Sequence, residues 1–277
     1  MIYIVKPKFF IGNSWLGINK QFLTGSKNKD TFAEIKDKIA SSFQKIEIWL
    51  SDLDEFDAVS PAKYVAFKAV GTKYYNIEYI KWAFYSFLCL FFKNRKKLEV
   101  IRWKEYYNLF LKQNLDNDWL KDEAFKKIAV LLNQNKIKRL LYPGVIDFYD
   151  TLKVKKIMIT RNIDRIAYRF CQFLSFYKYY YEVDNKGKIV ESIIKENPHV
   201  RYFGIGGDSE EDASAYDTLL YYYKKGKIEK PLSLQRVYSM KKLFPDFDLY
   251  IGKDRRALVD VIKNGSAVPV KSRCLAT

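Results

Sequence analysis

The chain has 277 residues, 48% of them apolar and 29% charged, with a formal net charge of +17. That apolar content excludes a disordered chain and supports a large buried core. Its three cysteines, Cys89, Cys171 and Cys274, form no CxxC pair, and with the single histidine, His199, they are too few for a zinc site of the usual Cys/His kind.

Ile2 to Val5 predicts a short strand, and Phe9 to Gly25 mixes turn residues with scattered aromatics. Thr31 and Glu34 form a capping box ahead of a helix with Ile35, Ile39 and Phe43 on one face. Ile46 to Asp54 (IEIWLSDLD) reads as a buried strand that stops abruptly at two acids, Asp52 and Asp54. From Ser60 to about Leu140 apolar residues recur at helical spacing, with no proline between Pro61 and Pro143, which predicts a block of about four packed helices. Its greasiest stretch, Trp82 to Phe92, falls far short of the roughly 20 residues that span a bilayer, so no membrane is expected.

Beyond Tyr142-Pro143-Gly144-Val145 the pattern changes. A short helix runs through Phe148 and Leu152, and Lys156 to Thr160 (KIMIT) is a compact strand ending in a hydroxyl. A helix over Asp164 to Phe173, an aromatic strand over Tyr177 to Val183, and a helix over Lys188 to Glu196 follow. Tyr202 to Ile205 predicts a strand running into Gly206-Gly207-Asp208-Ser209-Glu210-Glu211-Asp212. Leu249 to Gly252 is another, followed by a helix with Leu258, Val261 and Ile262. Strands alternating with helices predict an α/β fold with a doubly wound parallel sheet.

Ligands in such sheets sit beyond the carboxyl ends of the strands. There the sequence presents Asp52 and Asp54, Thr160, a lysine at 186 or 188, and Asp208 with Asp212. Two carboxylates one residue apart can divide labour, one as nucleophile or metal ligand and the other as acid and base. In order and strand context these residues resemble the haloacid dehalogenase superfamily of phosphotransferases. Asp52-Leu53-Asp54 matches its DxDx(T/V) motif, Ile157 to Thr160 the strand ending in Ser or Thr, and Gly207 to Asp212 its GDxxxD motif.

The resemblance implies a Rossmann-like α/β core over residues 46–56 and 141–265 and an inserted all-helical cap over 57–140. Residues 1–45 would be an N-terminal accessory segment and 266–277 a flexible tail. It further implies a Mg²⁺-dependent phosphatase acting on small phosphate monoesters through an aspartyl-phosphate. Asp52 would be the nucleophile and a metal ligand. Asp54 would be the acid and base, its backbone carbonyl also reaching the metal. Asp208 would bind Mg²⁺ directly, and Asp212 would bind or orient it. Thr160 would donate to a phosphoryl oxygen. A lysine would offset charge there, Lys186 because it precedes the fourth motif as the family's lysine does, Lys188 being the second choice.

Two departures stand out. Phe56 occupies the usual Thr or Val position, a ring that would narrow the site or reshape the cap hinge, and 45 residues precede the organising strand. The charge adds alternatives: 38 of the 49 basic residues are lysine, dispersed but for short clusters at Lys93 to Lys97 and Lys224 to Lys230. A silent binding protein on this fold, or a polynucleotide-end phosphatase with nucleic acid as partner, would use that surface. The triplets Tyr179 to Tyr181 and Tyr221 to Tyr223 can stack bases, though packing explains them more simply. His199 reads as a surface loop residue. The odd cysteine count and the lack of a secretory signal predict a cytoplasmic protein.

Overall fold

A computed structural model describes residues 8–11, 14–18, 32–54, 56–59, 61, 84, 87, 88, 128–208, 210–237 and 247–264. The strand expected over Ile2 to Val5, most of the helical block over 57–140 and the tail over 266–277 lie outside them.

The described strands are β1 (Lys8–Ile11), β2 (Ser14–Ile18), β3 (Ile48–Ser51), β4 (Lys155–Ile159), β5 (Lys178–Tyr180), β6 (Phe203–Gly207), β7 (Leu232–Arg236) and β8 (Leu249–Ile251). They form one sheet in the order β1-β2-β8-β7-β6-β3-β4-β5. β3 to β8 are mutually parallel, and β1 and β2 form an antiparallel hairpin that pairs against β8. The helices are α1 (Phe32–Lys45), α2 (Gln134–Leu140), α3 (Val145–Thr151), α4 (Asp164–Phe173), α5 (Lys186–Glu196), α6 (Glu210–Lys224) and α7 (Arg256–Asn264).

Side chains alternate across the sheet with the strand period of two. Trp49 and Met158 point to a core built with α1, α3, α4 and α7, while Ile48, Leu50, Ile157 and Ile159 point to a second core built with α5 and α6. Helices on both faces explain why all four residues of β3 are buried. From β3 the chain moves outward to β4 and β5, then returns past β3 to β6, β7 and β8. That reversal opens a crevice beyond the carboxyl ends of β3 and β6.

Two expectations change. Phe9 to Gly25 contains the β1–β2 hairpin rather than turns alone, so the segment before β3 extends the sheet. A strand absent from the sequence reading, β7, sits between β6 and β8. Among the described residues no helix is long and apolar enough to cross a membrane.

Candidate active site

Asp52 follows β3 directly, and its amide donates to Gly206 O at 3.1 Å, extending the β3–β6 ladder by one step. Asp208 follows β6, and Asp212 is the third residue of α6, in its first turn. The Asp208 amide donates to Asp212 Oδ2 at 2.7 Å, tying the start of the helix to the strand end. Gly207 makes this possible, since a Cβ there would meet Asp212 Oδ2 at 2.5 Å. Carboxylate oxygens of Asp52, Asp208 and Asp212 all lie within 4.8 Å of one another.

Lys186 enters this cluster from the first turn of α5, where the Asn185 side chain caps the helix by accepting from the Lys188 amide at 3.2 Å. Its ammonium stands 2.8 Å from Asp52 Oδ1 and 2.5 Å from Asp212 Oδ1, and the residue is buried. Lys188, the second choice from the sequence, is exposed and outside the cluster. Two residues along a helix is roughly 200° around it, so the two lysines cannot share a face.

The second half of the site joins β3 to β4. Thr160 is fully buried at the exit of β4, its Oγ1 accepting from the Asn162 amide at 3.2 Å and from Asn162 Nδ2 at 3.1 Å. With two donors arriving from Asn162, the Thr160 hydroxyl proton is directed elsewhere, as a phosphoryl oxygen would need. Asn162 Nδ2 also donates to Asp54 Oδ2 at 2.6 Å. The Asp54 carboxylate therefore faces Asn162, while the triad is made by the other three acids.

Burial pushes Asp52 well above the ordinary carboxylate range against the pull of Lys186, and Asp212 and Asp54 add to the rise. Burial, Asp212 and Asp52 push Asp208 the same way, opposed by Arg236 and Lys186. Burial would lower Lys186, but Asp212 and Asp52 outweigh it and hold the ammonium above its ordinary value. Clustered, buried carboxylates repel one another, and a further cation would relieve them. Hard oxygen donors of this kind suit Mg²⁺, so Asp52, Asp208 and Asp212 could hold that ion.

Phe56 does not narrow the crevice. It is fully buried, and a Cβ on Gly206 would lie 2.2 Å from its ring, so the ring occupies space that β6 leaves open. The sequence reading missed Asn162, although a polar residue two positions beyond a motif hydroxyl is a usable signal. It also missed Arg236, at the exit of β7, which is fully buried, 3.9 Å from Asp208 Oδ2 and stacked over the Tyr142 ring.

No family model matches the chain. No curated protein matches it either. Among solved structures it is similar to a HAD-hydrolase, YfnB from Bacillus subtilis bound to magnesium, at 12% identity and a TM-score of 0.46, over 79% of this chain and 99% of that one. It is similar to a phosphoserine phosphatase at 13% identity and a TM-score of 0.37, over 80% of this chain and 100% of that one. The catalytic domain of the CPx-ATPase CopB-B gives 11% identity and a TM-score of 0.37, over 90% and 96%. The exits of β3, β4 and β6 and the head of α5 bring Asp52, Asp54, Thr160, Lys186, Asp208 and Asp212 around one crevice. The core is an α/β fold, six parallel strands with helices on both faces. This crevice lies at the point where strand order reverses, and each of these groups projects from a fixed strand end or helix start.

Proposed function

We propose that the protein is a Mg²⁺-dependent phosphatase that hydrolyses phosphate monoesters through an aspartyl-phosphate. The observation that carries this reading is the meeting of the Asp52, Asp208 and Asp212 carboxylates beside Lys186, with Asp54 held to Thr160 through Asn162.

An Asp52 oxygen attacks phosphorus, and the bond from phosphorus to the ester oxygen breaks as protonated Asp54 gives that oxygen its proton. Asp54, now a carboxylate, takes a proton from water. The water oxygen attacks the same phosphorus, inorganic phosphate leaves, and the Asp52 carboxylate is restored. Thr160 donates to a phosphoryl oxygen, and Lys186 supplies fixed positive charge beside the attacking carboxylate. Mg²⁺ held by Asp52, Asp208 and Asp212 would offset the like charges of carboxylate and phosphate. A proton donor matters only when the leaving oxygen needs a proton, so Asp54 favours esters over halides as substrates.

The helical block over 57–140 would be a lid over the strand ends, joined near Asp57 to Pro61 and Leu140 to Gly144. A closing lid excludes bulk water and favours small substrates. A binding protein without catalysis would have no need of the Asn162 contact that orients Asp54.

The test is turnover of an aryl phosphate with Mg²⁺, in excess EDTA, and by Asp52→Asn. Activity lost in both arms supports the proposal. Undiminished turnover in either sinks it. A panel of sugar phosphates, nucleotides and 5′-phosphorylated oligonucleotides then names the substrate class, and preference for the oligonucleotides would refute the size limit.

A further inference from the structure

Phe56 and Asp57, just past the motif acids, have no part in the chemistry above, yet both are fully buried. Each is held by Arg255, in the loop between β8 and α7, which is also fully buried. Arg255 Nη1 lies 2.8 Å from Asp57 Oδ1, and Nη2 donates to Phe56 O at 2.6 Å. The guanidinium stacks over the Phe56 ring at 4.1 Å. The other Asp57 oxygen accepts from Tyr149 OH at 2.7 Å and from Ser51 Oγ at 3.1 Å.

The loop carrying Asp52 and Asp54 is therefore pinned at both ends. Ser51, before it, is bonded to Asp57, and Phe56, after it, is bonded to Arg255. The same arginine reaches the returning chain, its amide donating to Pro143 O at 2.9 Å. The outgoing and returning connections of the 57–140 insertion are also paired directly, with Val59 N to Leu140 O at 2.8 Å and Tyr142 N to Asp57 O at 3.0 Å. A buried ion pair is often replaceable by apolar residues at no cost to stability, so stability alone does not require one here. The guanidinium instead grips two adjacent residues, Phe56 and Asp57, while the Arg255 amide holds Pro143, so one residue fixes two backbone segments relative to each other.

We infer that Arg255 is a positioning residue, which through Asp57 and Phe56 sets the nucleophile loop and both connections of the insertion in one fixed arrangement. The catalytic part of this inference rests on the phosphatase reading; the mechanical part does not.

The experiment compares wild type with Arg255→Lys, Arg255→Met and the double variant Asp57→Leu/Arg255→Met. Arg255→Met alone strands a buried carboxylate and can fail to fold; the double variant removes both charges together. With Mg²⁺ and an aryl phosphate, the folded double variant is expected to lose kcat by on the order of 10²-fold, as a small misplacement of reacting groups does, with KM within about twofold. Arg255→Lys, which keeps the charge without the fork, should fall between. Amide hydrogen exchange should quicken together in residues 53–59 and 140–144 and stay unchanged in β4. A folded double variant with wild-type kcat, or unaltered exchange in both segments, overturns the inference. Should wild type prove inert on every phosphate ester, the phosphatase reading falls, and exchange decides the clamp: quickened in both segments supports it, unaltered refutes it.

Discussion

Asn162 donates its side-chain amide to Asp54 Oδ2 at 2.6 Å, a bond between the exits of β4 and β3. The same nitrogen reaches Thr160 at 3.1 Å, so one side chain orients the candidate acid and the candidate phosphate donor. Asn162→Ala should lower kcat by about tenfold to a hundredfold while leaving KM nearly unchanged, the pattern of a transition-state interaction lost. Equal kcat in variant and wild type would remove Asn162 from the mechanism.

Asp54→Asn should split the two half-reactions. A substrate with a good leaving group needs little protonation, so phosphorylation of Asp52 survives, whereas the second step lacks a base for water. The expected observation in rapid-quench kinetics is a burst of released phenol followed by slow turnover, with labelled protein accumulating. Loss of the burst together with turnover would mean that Asp54 is not divided between the steps in this way.

Lys186→Met leaves Asp52 and Asp212 buried without the cation that each now touches. Removing one partner of such a group costs about 3–5 kcal/mol, measured by urea unfolding at neutral pH without added metal. The folded pKa of Lys186 is raised, so its contribution is complete below the unfolded value near 10.4 and is lost only as pH rises through the folded value. The cost should shrink at a pH well below neutral relative to neutral pH, because burial pushes Asp52 up and a carboxyl that gains its proton no longer needs the cation beside it. An identical loss at both pH values would contradict the electrostatic account.

Cys171 is buried, which pushes its thiol up to about 11, and Sγ lies 3.5 Å from Phe176 O. The thiolate is the reactive form, so iodoacetamide at about pH 8 should label Cys171 far more slowly in native protein than in urea. In linkage terms, folding stability should decline as pH climbs from the unfolded thiol value of about 8.5 through 11. Peptide mapping by mass spectrometry reads the rates. Equal labelling in the two states would show that the burial is not maintained in solution.

The parts of the molecule readable from the sequence are those in which local chemistry and tertiary position agree. β3, β4 and β6 are buried on both faces, so each is a compact apolar or glycine run with a polar residue at its exit. The preference for Lys186 over Lys188 follows family spacing, and the cap at Asn185 supplies its physical reason by starting α5 at Lys186.

β7 could not be read that way. Its residues are LSLQR, and Ser233, Gln235 and Arg236 are all buried. Ser233 satisfies itself by trading hydrogen bonds with Asp248, whose Oδ2 accepts from Ser233 Oγ at 3.0 Å while the Asp248 amide donates back at 2.9 Å. No local pattern announces a partner so far along the chain. Phe56 fails for a related reason: whether its ring enters the crevice or the core depends on Gly206 beside β3, a neighbour set by strand order. Arg255 and Asp57 carry no local signal of the burial they share once the fold brings them together.

The hairpin at the start of the sheet has a consequence for how the molecule is made. β2 takes its backbone partners from β8, with Leu16 opposite Ile251, and α1 packs against α7. β2 and α1 thus wait for β8 and α7, more than 200 residues further along, before they can bury their apolar faces, and contacts of such long sequence separation form slowly. Until those contacts form, Leu16, Ile18, Ile35 and Ile39 lack part of the core they bury against, and apolar surface left open in that interval favours aggregation.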